Sequence, residues 1–182
     1  TDILTNSGNQ IRTVTYVVTA TGPGTEACAA PTTANYVVTV NPAINQTITN
    51  NDAIVCEGIG INIDYLTTTQ NASISVQATY PAGVTGSVDY SSSTALATSG
   101  KLTESLNNTT VLPQTVSYEF TTIANGCTPV VESVDVVVDP TPTFTNLPDA
   151  IAICSGDALN FTPTSDVAGV IFSWTSAPAT EI

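Results

Sequence analysis

Two runs of alternating apolar and polar residues, separated by a short turn sequence, predict a β-hairpin within Thr115–Pro140. The apolar positions that share one predicted face are Val116, Tyr118 and Phe120 in the first run and Val134, Val136 and Val138 in the second. Alternation with a period of two residues is typical of half-buried antiparallel strands. Asn125-Gly126 lies between the runs, and both residue types tolerate the positive φ angles of a tight turn.

The same pattern occurs earlier in the chain, within Thr13–Pro42, and its landmarks recur at a nearly constant spacing. Pro140 follows Pro42 by 98 residues, Cys154 follows Cys56 by 98, and Cys127 follows Cys28 by 99. A period of this length matches one β-sandwich domain and is too long for one turn of a solenoid. We therefore expect residues 1–41 to be the C-terminal part of one repeat, 42–140 a complete repeat, and 141–182 the N-terminal part of the next. We further expect the chain to be an excerpt of a longer tandem array.

Further alternating segments fill the remaining strands of the predicted repeat. Strands are expected near Gln10–Thr21, Tyr36–Val40, Ile54–Gly58, Ile61–Leu66, Ser73–Tyr80 and Val84–Tyr90. A junction is expected at Asn41–Asn51 and a loop at Ser91–Gly100, whereas Leu102–Leu106 fits either a strand or a loop. About seven strands in the complete repeat favour an all-β fold of tandem immunoglobulin-like antiparallel sandwiches, with about 98 residues per repeat.

Composition excludes several classes of function. The net charge is −13, and Arg12 and Lys101 are the only basic residues. Nucleic-acid binding requires basic side chains to neutralise phosphates, and docking on anionic lipid requires them as well. No apolar run reaches the length of a membrane span, so we expect no membrane insertion. The chain has no histidine and one lysine, which leaves a serine or cysteine nucleophile without its usual base. We therefore predict no enzyme activity, no catalytic residues and no cofactor.

The four cysteines suggest an oxidising, extracytoplasmic location. If each repeat pairs its own cysteines, Cys56 joins Cys127, and the partners of Cys28 and Cys154 lie outside this sequence. Such a bridge would contribute about 4 kcal/mol in the chain-entropy model. Two alternatives remain open: four free thiols, or a Cys28–Cys56 bridge between neighbouring repeats. No CxxC motif is present, so the cysteines do not indicate a zinc site.

Oxygen-bearing side chains at the predicted junctions leave calcium binding open, although each junction carries few carboxylates. These side chains are Asn50, Asn51, Asp52, Asp139 and Asp149.

Two tyrosines are candidate contacts for a carbohydrate ligand. Tyr80 and Tyr90 lie near turns, where they could stack on a sugar or pack on the sheet. Trp174 is expected to pack in the core of its own repeat.

The sequence also resembles a known family. A strand that starts with Ile/Val-Cys-x-Gly (at Cys56 and Cys154) combines with the hairpin described above, and residues 154–175 read CSGDALNFTPTSDVAGVIFSWT. These features resemble the PKD-like, immunoglobulin-like repeats of giant Bacteroidetes cell-surface adhesins, such as those of gliding Flavobacterium-type bacteria. The resemblance implies type IX secretion, display on the outer membrane, and adhesion in gliding motility. The implied partners are neighbouring repeats, the outer-membrane gliding and secretion machinery, and surface polysaccharide. Related repeats also occur beside enzymes, so a carbohydrate-binding or spacer module of a polysaccharide-degrading enzyme is the alternative.

Overall fold

The computed structural model describes residues 1–22, 33–148 and 150–176, and within these ranges the chain is all-β. Its strands are β1 (Arg12–Val18), β2 (Ala34–Val40), β3 (Thr47–Asn50), β4 (Ile54–Cys56), β5 (Ile63–Leu66), β6 (Ala72–Thr79), β7 (Val84–Gly86), β8 (Thr94–Leu96), β9 (Ser99–Leu102), β10 (Leu106–Asn108), β11 (Gln114–Ala124) and β12 (Val130–Asp139). In the part of the chain so described, no helix is long and apolar enough to cross a membrane.

Residues 42–140, here called the middle unit, contain two larger sheets. One has five strands in the order β4-β12-β11-β6-β8, and the other has three in the order β3-β5-β9. β7 and β10 form a further two-stranded pair. All members of the buried apolar cluster lie between Val55 and Val138, so the middle unit provides its own core. This arrangement is consistent with a β-sandwich.

The hairpin predicted from alternation is confirmed as β11 and β12. Val116 pairs with Val136 and Tyr118 with Val134, and the apolar face of β11 is fully buried. Asn125 and Gly126 have φ angles of 52° and 72°. Two successive residues with positive φ are the signature of the tight turn that joins antiparallel strands without splaying them.

The chain enters the middle unit by pairing first with one sheet and then with the other. β3 pairs antiparallel with β5, and a few residues later β4 pairs parallel with β12, with Ile54 opposite Val137 and Cys56 opposite Asp139. Val137 N also donates a hydrogen bond of 2.9 Å to Ala53 O. The entering segment therefore lies beside the strand by which the chain leaves.

This pairing accounts for the strand predictions that were wrong. The predicted junction contains β3, and the predicted Ser91–Gly100 loop contains β8 and the start of β9. The Leu102–Leu106 segment is split between the end of β9 and the start of β10. The middle unit thus has ten strands where about seven were expected, because the entering segment forms both β3 and β4 and the predicted loop region contributes β8 and β9.

The predicted Cys56–Cys127 disulfide is not formed, and both residues are free cysteines. Cys56 lies opposite Asp139 at the end of β12, whereas Cys127 lies just before β12 begins at Val130. Nine residue steps of extended strand separate those ends by about 30 Å. A disulfide requires Cα atoms within about 7 Å, so the two residues cannot be joined within the unit. Cys154 is also free and exposed, and Cys28 lies outside the described residues.

Backbone features of the middle unit recur 98 residues further along the chain. A hydrogen bond of 3.1 Å from Ile59 N to Cys56 O closes one turn, and a bond of the same length from Asp157 N to Cys154 O closes its counterpart. Positive φ angles recur at the same spacing, in the pairs Gly58 and Gly156, and Asn71 and Gly169. The isolated bridge from Phe144 to Ser165 has the register of β3 with β5, displaced by 98 residues on both sides.

The N-terminal hairpin of β1 and β2 has the register of β11 and β12. Tyr16 pairs with Tyr36, and Tyr118 pairs with Val134. Tyr36 precedes Val134 by 98 residues, and Tyr16 precedes Tyr118 by 102, since the first connection is four residues longer. Tyr16 and Tyr118 therefore occupy like positions, although Tyr118 is fully buried and Tyr16 is half-buried.

Candidate functional site

The end of the middle unit that meets the N-terminal segment is held by side-chain amides. Gln70 N donates to Asn9 O at 2.8 Å, and the Gln70 Oε1 atom accepts from Ile11 N at 2.7 Å. Asn41 Nδ2 donates to Asn125 O at 2.9 Å, and Asn125 Nδ2 donates to Gln70 O at 2.8 Å. We call these five residues the upstream junction.

The local backbone explains why these residues face the junction. Asn125 and Asn71 both have positive φ, at 52° and 58°, so each lies at a sharp turn at the end of a strand. Asparagine adopts this conformation more readily than most residues. Gln70 precedes Asn71 and extends along the N-terminal segment, where it bonds two backbone positions as a neighbouring strand would. Each such bond contributes about 1 kcal/mol, and together they fix the direction of the chain as it enters the unit.

The opposite end of the middle unit, here called the downstream junction, comprises Cys56, Glu57, Asp139 and Thr141. Glu57 N donates to Asp139 O at 3.0 Å, and Glu57 Oε2 accepts from Thr141 N at 3.2 Å. Cys56 is exposed beside them. The chain therefore leaves the unit beside β4, where the Glu57 carboxylate binds the Thr141 amide.

The candidate calcium ligands are not brought together. Asn50 Nδ2 donates to Asp135 O at 2.9 Å, and Asn51 Nδ2 donates to Asp64 Oδ2 at 2.7 Å. These amides therefore hold neighbouring strands. Among the described residues no group of three His, Cys, Asp or Glu side chains could hold a metal ion, and Asp149 lies outside them.

Lys101 lies on β9, where it pairs with Asp64 of β5. Its Nζ atom is 3.3 Å from Asp64 Oδ1 and donates to Asn62 Oδ1. The hydrogen bond from Asn51, followed by that from Lys101, lowers the pKa of the Asp64 carboxyl. Both charged side chains are about half exposed, so this is a surface ion pair, and such pairs contribute little to stability.

Among the described residues, Glu104 is the one buried carboxyl, and the sequence alone did not point to it. It is 4% exposed and accepts hydrogen bonds from the Tyr118 hydroxyl at 2.5 Å and from the Tyr80 hydroxyl at 2.9 Å. Burial raises the pKa of Glu104, and the two tyrosine bonds partly oppose that rise. The signal was present, since Leu102, Glu104 and Leu106 alternate on one face and both leucines are buried.

Gly86 makes room for the Glu104 carboxylate. A Cβ atom at position 86 would lie 1.8 Å from Glu104 Oε2, so any other residue there would displace the carboxylate. The enclosed carboxyl has two tyrosine partners and no access for a substrate. It therefore links β6, β11 and the β9–β10 connection, and its chemistry is structural.

The two tyrosines considered as sugar contacts are part of the core. Tyr80 and Tyr90 are half-buried and pack against the apolar cluster, and Tyr80 also accepts a hydrogen bond of 3.4 Å from Tyr90 N. Part of each ring is therefore occupied by packing against the core.

An open apolar groove with a volume of about 790 Å³ lies in the C-terminal segment. Its large lining residues include Phe144, Leu147, Leu159, Phe161, Phe172 and Trp174. Four of them follow fully buried residues of the middle unit by 98 positions: Leu159 follows Ile61, Phe161 follows Ile63, Phe172 follows Ile74, and Trp174 follows Val76. Trp174 itself is 81% exposed, so the expectation that it packs in a core is wrong for the part of the chain that the structure describes. The groove thus occupies the place that the core occupies in the middle unit.

No protein-family model matches this chain, and no curated protein matches it. Among solved structures, the chain is similar to the adhesin InvE of Yersinia pseudotuberculosis, with a TM-score of 0.33 and 11% sequence identity. The similarity covers 72% of this chain and 50% of that one, so this chain spans about half the length of the solved chain. Because the backbone similarity is low, the function is inferred from the geometry of the chain itself.

Proposed function

We propose that this chain is a structural and adhesive stretch of a long tandem array of immunoglobulin-like units. Residues 1–41 end one unit, 42–140 form a complete unit, and 141–182 begin the next. The observation that carries the proposal is the recurrence of turns, positive φ angles and bridge register at a spacing of 98 residues. Chance similarity of sequence would not reproduce backbone geometry at one offset.

The sheet order of the middle unit supports the immunoglobulin-like assignment. In that fold, the first strand divides between the two sheets, and its second part lies beside the last strand. β3 and β4 divide in this way, and β4 lies beside β12. The apolar groove of the C-terminal segment is then the uncovered core of an incomplete unit, which the remaining strands of that unit would fill.

The strand pairing also supports a mechanical role. Tension between the two junctions would pull β4 and β12 in opposite directions, because the strands are parallel and the chain enters through one and leaves through the other. Their registered pairs would resist together in shear. The hydrogen bonds of the upstream junction would fix the angle between the middle unit and the unit before it, so neighbouring units would form an extended rod.

The proposed setting is the outer surface of a bacterial cell. The resemblance of the Cys-x-Gly strand starts to repeats of gliding adhesins supports secretion by the type IX pathway and a role in surface attachment and gliding. The strongly acidic composition supports a spacer that does not adhere to itself. In this role the array holds a distal binding region away from the cell.

Single-molecule force spectroscopy of the 182-residue chain tests the proposal. Pulled from its two termini, the middle unit should give one distinct force peak, and the release of 86 residues from Ile54 to Asp139 should lengthen the chain by about 300 Å. A matched variant, in which the other cysteines are serine, can be pulled through the Cys127 thiol and the C-terminus. In this geometry the load runs along β12, which is already extended, and bypasses the pairs between β4 and β12, so the peak should be absent.

Extension from the two termini without a peak would contradict the mechanical proposal. The alternative role has its own outcome: saturable binding of the folded chain to soluble plant or algal polysaccharides would identify a carbohydrate-binding module.

A further inference from the structure

We propose that successive units of the array are joined by disulfides, each linking the Cys56-type cysteine of one unit to the Cys127-type cysteine of the next. This inference rests on the proposed tandem array and goes beyond it by naming the covalent link and the residues that form it.

Cys127 lies at the upstream junction. Its backbone N donates to Ala124 O at 2.9 Å, which closes the turn at the tip of the hairpin. Within the same turn, Asn125 O accepts the hydrogen bond from Asn41 Nδ2. The half-buried Cys127 thiol is therefore two residues away from the contact with Asn41, the last residue before Pro42.

Cys56 lies at the downstream junction, opposite Asp139 in the parallel pairing. Adjacent strands lie about 4.8 Å apart, and Asp139 is the last residue before Pro140. Asp139 follows Asn41 by 98 residues, so the two residues hold the same place in successive units. The two residues share a backbone position only, because the Asp139 carboxylate cannot donate the hydrogen bond that the Asn41 amide donates to Asn125 O.

Superposing the two junctions places both cysteine types beside one residue. Asp139 shows one half of this arrangement: the Cys56-type cysteine of its own unit lies on the neighbouring strand. Asn41, its counterpart one unit earlier, shows the other half: it contacts the turn that carries the Cys127-type cysteine of the following unit. Neither thiol has a competing partner within its unit, because about 30 Å separates Cys56 from Cys127. The sequence provides both types again, as Cys28 before the middle unit and Cys154 after it.

Bridge formation is an ordinary thiol–disulfide exchange. The two S–H bonds break, one S–S bond forms, and two electrons and two protons pass to a disulfide oxidant, such as oxidised glutathione, which is reduced to two thiols. An oxidising extracytoplasmic compartment contains oxidants of this class.

The test uses a concatemer of three copies of residues 42–139, which is one period of 98 residues and contains the whole buried apolar cluster. After incubation with oxidised glutathione, thiols are counted under denaturing conditions, and disulfide-linked peptides are mapped by mass spectrometry. We expect two bridges between copies and two free thiols, one at each end. No free thiols, with a bridge inside every copy, would overturn the proposal, and so would six free thiols.

The 182-residue chain gives a second measurement that does not depend on the concatemer. Treated in the same way, it should keep Cys56 and Cys127 unlinked to each other, and both should react with iodoacetamide. A Cys56–Cys127 linkage would overturn the inference.

Small-angle X-ray scattering separates this inference from the proposed function. A concatemer with Cys56→Ser and Cys127→Ser in every copy serves as the control. An extended, rigid concatemer with free thiols would refute the disulfide proposal and leave the proposed rod intact. A flexible chain of separate units, with or without the cysteines, would refute the proposed rod.

Discussion

Replacing Tyr118 with phenylalanine isolates the hydrogen bond to the buried Glu104. Tyr118 is fully buried, so the phenylalanine ring would keep nearly all of the apolar burial. The change removes the hydroxyl that donates to Glu104 Oε1 at 2.5 Å. A hydrogen bond to a charged group contributes about 1.5–3 kcal/mol. Because the Tyr80 hydroxyl still bonds the same carboxyl, we expect a loss of about 2 kcal/mol at pH 7.

Urea unfolding followed by far-UV circular dichroism measures this loss. With a slope of about 2 kcal/mol per molar urea, the midpoint should fall by about 1 M. Tyr65→Phe is the matched control: Tyr65 is 8% exposed, and its hydroxyl has no hydrogen-bond partner among the described residues. That variant should lose less than about 0.5 kcal/mol.

Equal losses in the two variants would refute the reasoning, because the cost would then come from removing any buried hydroxyl. A Tyr118→Phe variant as stable as the original would refute it more directly, because it would show that Glu104 does not depend on this donor.

Three further predictions concern the same unit. Gly86→Ala should destabilise by about 1–3 kcal/mol, because its Cβ would lie 1.8 Å from Glu104 Oε2; Gly60→Ala, whose nearest neighbour would be 3.8 Å away, should be nearly neutral in the same urea assay. Gln70→Ala should speed hydrogen exchange at the Ile11 amide, which loses its acceptor, without changing the urea midpoint of the middle unit. Glu104→Gln should flatten the pH dependence of unfolding: burial raises the folded pKa of this carboxyl, so its stabilising contribution is complete below the unfolded pKa of about 4.3 and falls as pH rises through the folded pKa. The free energy of unfolding of the variant should therefore rise relative to that of the original chain as pH rises. A difference between the two that does not change with pH would contradict the prediction.

Alternation was sufficient to predict the central hairpin, because β11 faces the core on one side along its whole length and β12 does so from Val134 to Val138. Val116, Tyr118 and Phe120 were placed on one face by their spacing alone, and all three are fully buried. The tight turn at Asn125-Gly126 followed from the same local information. In these segments the local pattern and the tertiary fold require the same residues.

The features that the sequence did not reveal depend on which strands become neighbours. Thr47–Asn50 is a strand because β5 lies beside it, although the segment is short and three of its four residues are polar. The position of Cys56 beside β12 follows from a parallel pairing that no local pattern encodes, and for that reason the bridge to Cys127 was wrong. Glu104 lies between two polar neighbours, so its local sequence suggests exposure although the fold buries it.

The shared register of the two hairpins bears on how such an array folds during synthesis. A hairpin that matches its neighbour in register could insert into the wrong sandwich, and domain swapping is a common failure of multidomain chains. Tyr36 stands where the other hairpin has Val134, a residue that packs against the core. A tyrosine is larger than the valine that packs at this place in the middle unit, so this difference in side-chain volume disfavours insertion of the first hairpin into the middle unit.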